Sequence, residues 1–86
     1  DKKDIKSKYY LRIAVNDEVG VLEKITSIFA KNNISINNLL QKQSKEFVKV
    51  LLSTHLAIES DIQNAISEIS ELSFVKAKIN LIRIEE

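Results

Sequence analysis

Across its 86 residues the chain has no cysteine, no methionine, one histidine and one glycine. Without cysteine there is no disulfide framework, no thiolate metal site and no cysteine nucleophile. The single histidine, His55, has no thiolate to complete a zinc site and no evident serine or carboxylate relay around it. It reads as a solvated residue that ends a strand. No apolar run approaches the length of a membrane span and no signal peptide opens the chain, so a cytoplasmic protein is expected. The 13 basic and 12 acidic residues leave a formal net charge of +1, without the basic excess of a nucleic-acid binder. A hydrophobic fraction of 44% and a charged fraction of 29% suit one small globular domain. A chain this short buries only about 60–65% of its unfolded surface, so association with another copy would help it. Starting at Asp1 and lacking methionine, it reads as a piece of a longer protein. Residues Asp1 to Lys8, charged and with little periodicity, read as a linker into a domain over residues 9–86.

What is present is patterned. Tyr9 to Val15 alternates as a strand does, with Leu11, Ile13 and Val15 on one face. Val21, Leu22, Ile25, Ile28 and Phe29 then recur at helical spacing, predicting a helix over about Val21 to Asn32 with Asn33 as a left-handed stop. Ile34 to Lys42 reads as a second strand, with Ile34, Ile36 and Leu40 on one face and Ser35, Asn37, Leu39 and Gln41 on the other. After the turn Gln43 to Glu46 comes a third strand, Phe47 to His55, and so short a connection predicts an antiparallel hairpin. Ser60-Asp61-Ile62-Gln63 has the form of a capping box, followed by an apolar stripe of Ile62, Ala65, Ile66, Ile69 and Leu72. Val75 to Ile84 reads as a last strand. Its period breaks at Leu81-Ile82, from either a bulge or a strand apolar on both faces.

Strand, helix, strand, strand, helix, strand is the order of the ferredoxin-like βαββαβ sandwich. This is an α+β plan with two helices on one face of a four-stranded antiparallel sheet, its first and third strands central. Ile25, Ile28 and Phe29, with Ile62, Ile66 and Ile69, are expected to pack on Leu11, Ile13, Val15, Val48 and Val50. The plan hosts many activities, and missing residues thin them. RNA-recognition motifs need stacking aromatics and glycines on the central strands, and Phe47 to Leu51 has one aromatic and no glycine. Metal-chaperone versions need Cys-x-x-Cys. Acylphosphatase-like enzymes need a glycine-rich loop with an arginine, and Asn16 to Leu22 has neither.

The junction around Gly20 remains. A glycine between strand and helix permits close approach of backbone or of a ligand. The first amides of the following helix lack intrahelical partners and suit a carboxylate or phosphate. An amino-acid carboxylate fits on the amides near Gly20, Val21 and Leu22, and Asn16 and Asp17 stand ready to accept from its ammonium.

This stretch, Tyr9 to Val15, Asn16 to Leu22 and Lys24 to Phe29, resembles the opening of ACT domains, small regulatory modules that bind amino acids. The continuation Asn33-Ile34-Ser35-Ile36-Asn37-Asn38-Leu39-Leu40-Gln41-Lys42, and Thr54-His55 before an acidic helix, look most like the C-terminal ACT domain of homoserine dehydrogenases. The resemblance spans about Lys8 to Ile84. It implies a non-catalytic regulatory domain without a cofactor, attached to an NAD(P)-dependent catalytic part and paired with a second copy. It places the ligand between subunits, at Asn16, Asp17, Val19, Gly20, Val21 and Leu22 of one and Ser35, Ile36, Asn37 and Asn38 of the other. Gln41 of the neighbour would read a ligand hydroxyl. Because homoserine dehydrogenase lies on the route to threonine, threonine is the first ligand candidate. Val19 departs from the family pattern, standing where the loop usually has proline with its fixed φ.

Each residue also has a structural reading. Gly20 would permit tight helix–strand packing, Asp17 would cap the helix, and Asn37 and Asn38 would guard a sheet edge. Two functions therefore stay open: an amino-acid sensor, or a dimerisation module that binds nothing. The parent could also be another ACT-bearing enzyme of amino-acid metabolism.

Overall fold

Alternation of apolar and polar residues drives the longest strand, β1 (Lys6–Val15), in the computed structural model, which describes residues 6–84. There follow α1 (Val21–Lys31), β2 (Ile36–Gln43), β3 (Val48–Thr54), β4 (Ala57–Ile58), α2 (Glu59–Ser70) and β5 (Asn80–Ile84). Residues Lys6 to Lys8, which sequence alone made part of a linker, are therefore the start of β1. Asp1 to Ile5 lie outside the described residues. Among the described residues no helix is long and apolar enough to cross a membrane.

All strand pairs are antiparallel. β1 pairs with β3 from Tyr10↔Ser53 to Val15↔Val48, and with β5 from Lys8↔Ile84 to Arg12↔Asn80. β2 pairs with β3, so β1 and β3 are central, as the crossover rule required. The sheet has five strands where four were expected, because the two-residue β4 takes up β1 at Lys6 and Ser7 where β3 leaves off. At that hand-over the buried Thr54 accepts the Tyr9 N–H on its Oγ1 at 3.1 Å, so this amide keeps a partner between the two ladders.

The helices cover one face of the sheet. Leu11, Ile13 and Val15 of β1, with Val48, Val50 and Leu52 of β3, meet Val21, Ile25 and Phe29 of α1 and Ile62, Ala65 and Ile69 of α2. Ile28 and Ile66, expected inside, are half-buried at the margin of this core. Lys31 Nζ and Glu68 Oε2, 3.3 Å apart, link the two helices at the surface.

Helix α1 stops where Asn33 takes φ 62°. The Asn33 N–H donates to the Ala30 carbonyl and the Ile34 N–H to that of Phe29, while Ile34 and Phe29 are both buried. This is a Schellman ending with asparagine in glycine's usual place.

Three local expectations are corrected. The capping box is absent: α2 begins at Glu59 after Ile58, with no side-chain cap, and Ser60 lies within the first turn. The acidic pair Glu59 and Asp61 faces the positive helix end instead. Second, Leu40 does not share the core face with Ile34 and Ile36. The β2–β3 register slips between Ile36 and Asn38, and the extra residue reverses the strand's faces. Leu39 turns to the core and Leu40 is 57% exposed. Third, regular pairing at the last strand covers only Asn80 to Ile84, with Val75 reduced to a single bridge to Val15. The ladder of β5 is unbroken, so Leu81-Ile82 reflects a strand apolar on both faces and not a bulge. Leu81 packs on the core and Ile82 faces away.

Candidate functional site

The loop after β1 is held by backbone before any side chain acts. The Asn16 N–H donates to the Phe74 carbonyl at 2.8 Å, and the Lys76 N–H to the Ala14 carbonyl at 2.8 Å. Within the loop, the Glu18 N–H donates to the Asn16 carbonyl at 3.0 Å, and Asn16 Nδ2 to Glu18 Oε2 at 2.9 Å. Gly20 then takes φ 85° and ψ 1° as the residue that starts α1, and its carbonyl accepts the Lys24 N–H at 3.0 Å. No side chain caps the helix, so the amides of Val21, Leu22 and Glu23 are left to the space before it.

Two of the structural readings are thereby overturned. A Cβ on Gly20 would meet nothing within 4 Å, so the glycine does not serve tight helix–strand packing. It serves the left-handed turn. Asp17 does not cap the helix either, since its Oδ2 accepts from Gln43 Nε2 of β2 at 3.3 Å.

In front of the helix end lies a cleft of about 330 Å³. Asn16, Asp17, Glu18 and Gly20 of the loop form one side, and Val21, Leu22 and Glu23 of α1 another. Val15, Val48, Val50 and Gln41 of the sheet form the floor. Three carboxylates and no lysine, arginine or histidine line it. An ammonium is favoured there, while a ligand carboxylate would find its partners in the amides and dipole of α1. The apolar floor suits a short aliphatic side chain.

The structure thus gathers Asn16, Asp17, Gly20, Val21, Leu22 and Gln41 within one chain. The others stand apart. Val19 is fully exposed and lines an adjoining groove that shares Gly20 and Glu23 with the cleft and runs on to Ser27, Ile28 and Phe74. Ser35 and Ile36 line another groove with Thr26, Ala30, Asn33 and Ile34. Asn37 and Asn38 are exposed at the irregularity of β2. Gln41 was expected to come from a neighbour. It reaches the cleft of its own chain because the slip in β2 sets it opposite Val50 on the helix side of the sheet. Sequence reasoning missed Glu18 and Glu23 as wall residues, and also the contact of Gln43 with Asp17. The signal available for the last was the two-residue spacing of Gln41 and Gln43, which puts both on one strand face.

Residues 9–74, from within β1 through the loop to four residues past the end of α2, match the family model of the ACT domain. The chain belongs to the ACT domain family. This ACT domain is 41% identical over 86 residues to the homoserine dehydrogenase of Helicobacter pylori, covering 98% of this chain and 20% of that protein. The solved homoserine dehydrogenase of Thiobacillus denitrificans superposes with a TM-score of 0.87 at 36% identity, over 99% of this chain and 19% of that one. The ACT domain of the GTP pyrophosphokinase of Chlorobium tepidum gives a TM-score of 0.73 at 13% identity, over 90% and 99% of the two chains, and speaks for the fold alone. The chain spans about a fifth of the length of the curated relatives it matches.

Proposed function

We propose that this ACT domain is a non-catalytic regulatory module that binds a small amino acid, with threonine the first candidate, and passes its presence to a homoserine dehydrogenase. The observation that supports this is the uncapped N-terminus of α1, opened by the positive-φ Gly20 into a cleft that also holds the Asp17 carboxylate. The ligand carboxylate sits on the amides of Val21 and Leu22, its ammonium on Asp17, and its hydroxyl within reach of Gln41. The methyl group of threonine rests against Val48 and Val50. Regulation follows if the ligand binds one arrangement of the parent's subunits better than another.

A second copy completes the reading. Among the described residues strand β2 pairs on one side only, and it exposes Leu40, so a two-fold partner along it would cover both the edge and the leucine. That same edge favours the rival reading, a dimerisation module that binds no ligand. Calorimetric titration of threonine into wild type, Asp17→Ala and Gly20→Asp separates the two. Heat with wild type, weaker binding by Asp17→Ala and none by Gly20→Asp support the sensor. No heat at millimolar threonine, nor a thermal shift with any of the twenty amino acids, leaves the dimerisation module. Equal binding by Gly20→Asp would move the site elsewhere.

A further inference from the structure

The hydrogen bond from Gln43 Nε2 to Asp17 Oδ2, 3.3 Å, joins the loop after β1 to the edge strand β2 across 26 residues of sequence. It is the one side-chain hydrogen bond described between these two elements. The two ends differ in how firmly they are held. Gln43 stands on a strand, directly opposite the buried Val48 that floors the cleft. Asp17 stands on an exposed loop that lacks proline's rigidity, with Val19 two residues on. A free carboxylate there would swing among rotamers, and each immobilised rotamer costs a ligand affinity.

We propose that Gln43 is the positioning residue of the ammonium site. Resting on the reading of the cleft as an amino-acid site, it fixes the Asp17 carboxylate through Oδ2 and leaves Oδ1 to accept the ligand ammonium. A carboxylate has acceptor sites enough for both donors, so the amide and the ammonium are joint partners and not competitors. Asp17 lines the cleft, so a ligand there can reach the carboxylate that the amide holds. The contact also gives ligand binding a mechanical address. Whatever tightens Asp17 tightens β2, which ends the order of the described strands.

The test is a double-mutant cycle read by threonine calorimetry on the 86-residue chain, with melting temperature as the control. Gln43→Ala is expected to weaken binding by about two- to tenfold, the range of one hydrogen bond's net contribution. The melting temperature should hardly move, because the lost contact is on the surface. In an Asp17→Ala background, Gln43→Ala should change affinity by less than about twofold, the signature of action through Asp17. Wild-type affinity in Gln43→Ala, or an undiminished loss in the Asp17→Ala background, overturns the positioning role while the site stands. Absence of threonine binding by wild type overturns the site and this role together.

Discussion

Gly20→Ala isolates the backbone contribution of the turn that makes the site. At φ 85° an L-residue costs roughly 1–2 kcal/mol through contact of Cβ with its own backbone. Alanine returns about 0.4–1 kcal/mol by restricting the unfolded chain. No steric term is added, because nothing lies within 4 Å of the new Cβ. The net loss should be about 1 kcal/mol, equivalent to some 4–8 °C in a domain of this size. A chain of 86 residues has a total stability on the order of 4–13 kcal/mol, so the variant stays folded. Asparagine tolerates the left-handed region and should lose less than alanine. Aspartate adds a favourable charge at the N-terminus of α1 and should lose no more than alanine. Its failure to bind threonine would then report the site and not unfolding. Urea unfolding followed by far-UV circular dichroism measures all three, with the slope in denaturant unchanged. A loss above about 3 kcal/mol for Gly20→Ala would reveal a packed neighbour, and a gain would mean that φ at position 20 is negative. Either result refutes the reasoning.

Other perturbations probe the remaining parts. Phe29→Ala removes a fully buried ring under both the core and the helix ending, and should cost about 3–5 kcal/mol in the same denaturation assay; Ile28→Ala, at the margin, should cost clearly less. Asn33→Gly should leave stability equal or slightly higher, whereas Asn33→Val, β-branched at φ 62°, should lower the melting temperature. Asp17→Ala should weaken threonine binding by about 1.5–3 kcal/mol in calorimetry, the scale of a hydrogen bond to a charged group. Light scattering at micromolar concentration should give twice 9.8 kDa for wild type and a monomer for Leu40→Glu, which places a charge on the exposed edge of β2.

How much was legible depended on the range of the forces involved. Periodicity is local, so β1, α1, β3 and α2 were readable from Leu11, Ile13 and Val15, from Ile25 and Phe29, from Val48 and Val50, and from Ile62 and Ile69. Their order implied the ferredoxin-like sheet with β1 and β3 in the middle, because crossover handedness leaves few alternatives. Asn33 announced its left-handed position by residue type alone, whereas the left-handed turn at Gly20, read from sequence as a place of close approach, emerged only in the structure. The chain could not state which helix residue comes first, because α2 starts where β4 ends, and β4 exists only through its pairing with Lys6 and Ser7. Nor could it reveal the slip between Ile36 and Asn38, since a single unpaired residue reverses every later side chain without altering composition. That slip exposes Leu40, brings Gln41 to the cleft of its own chain and sets Gln43 within reach of Asp17. The polar groups of the candidate site were therefore written in the residues of the loop, while the wall opposite them was decided by strand register, a property that two strands possess only together.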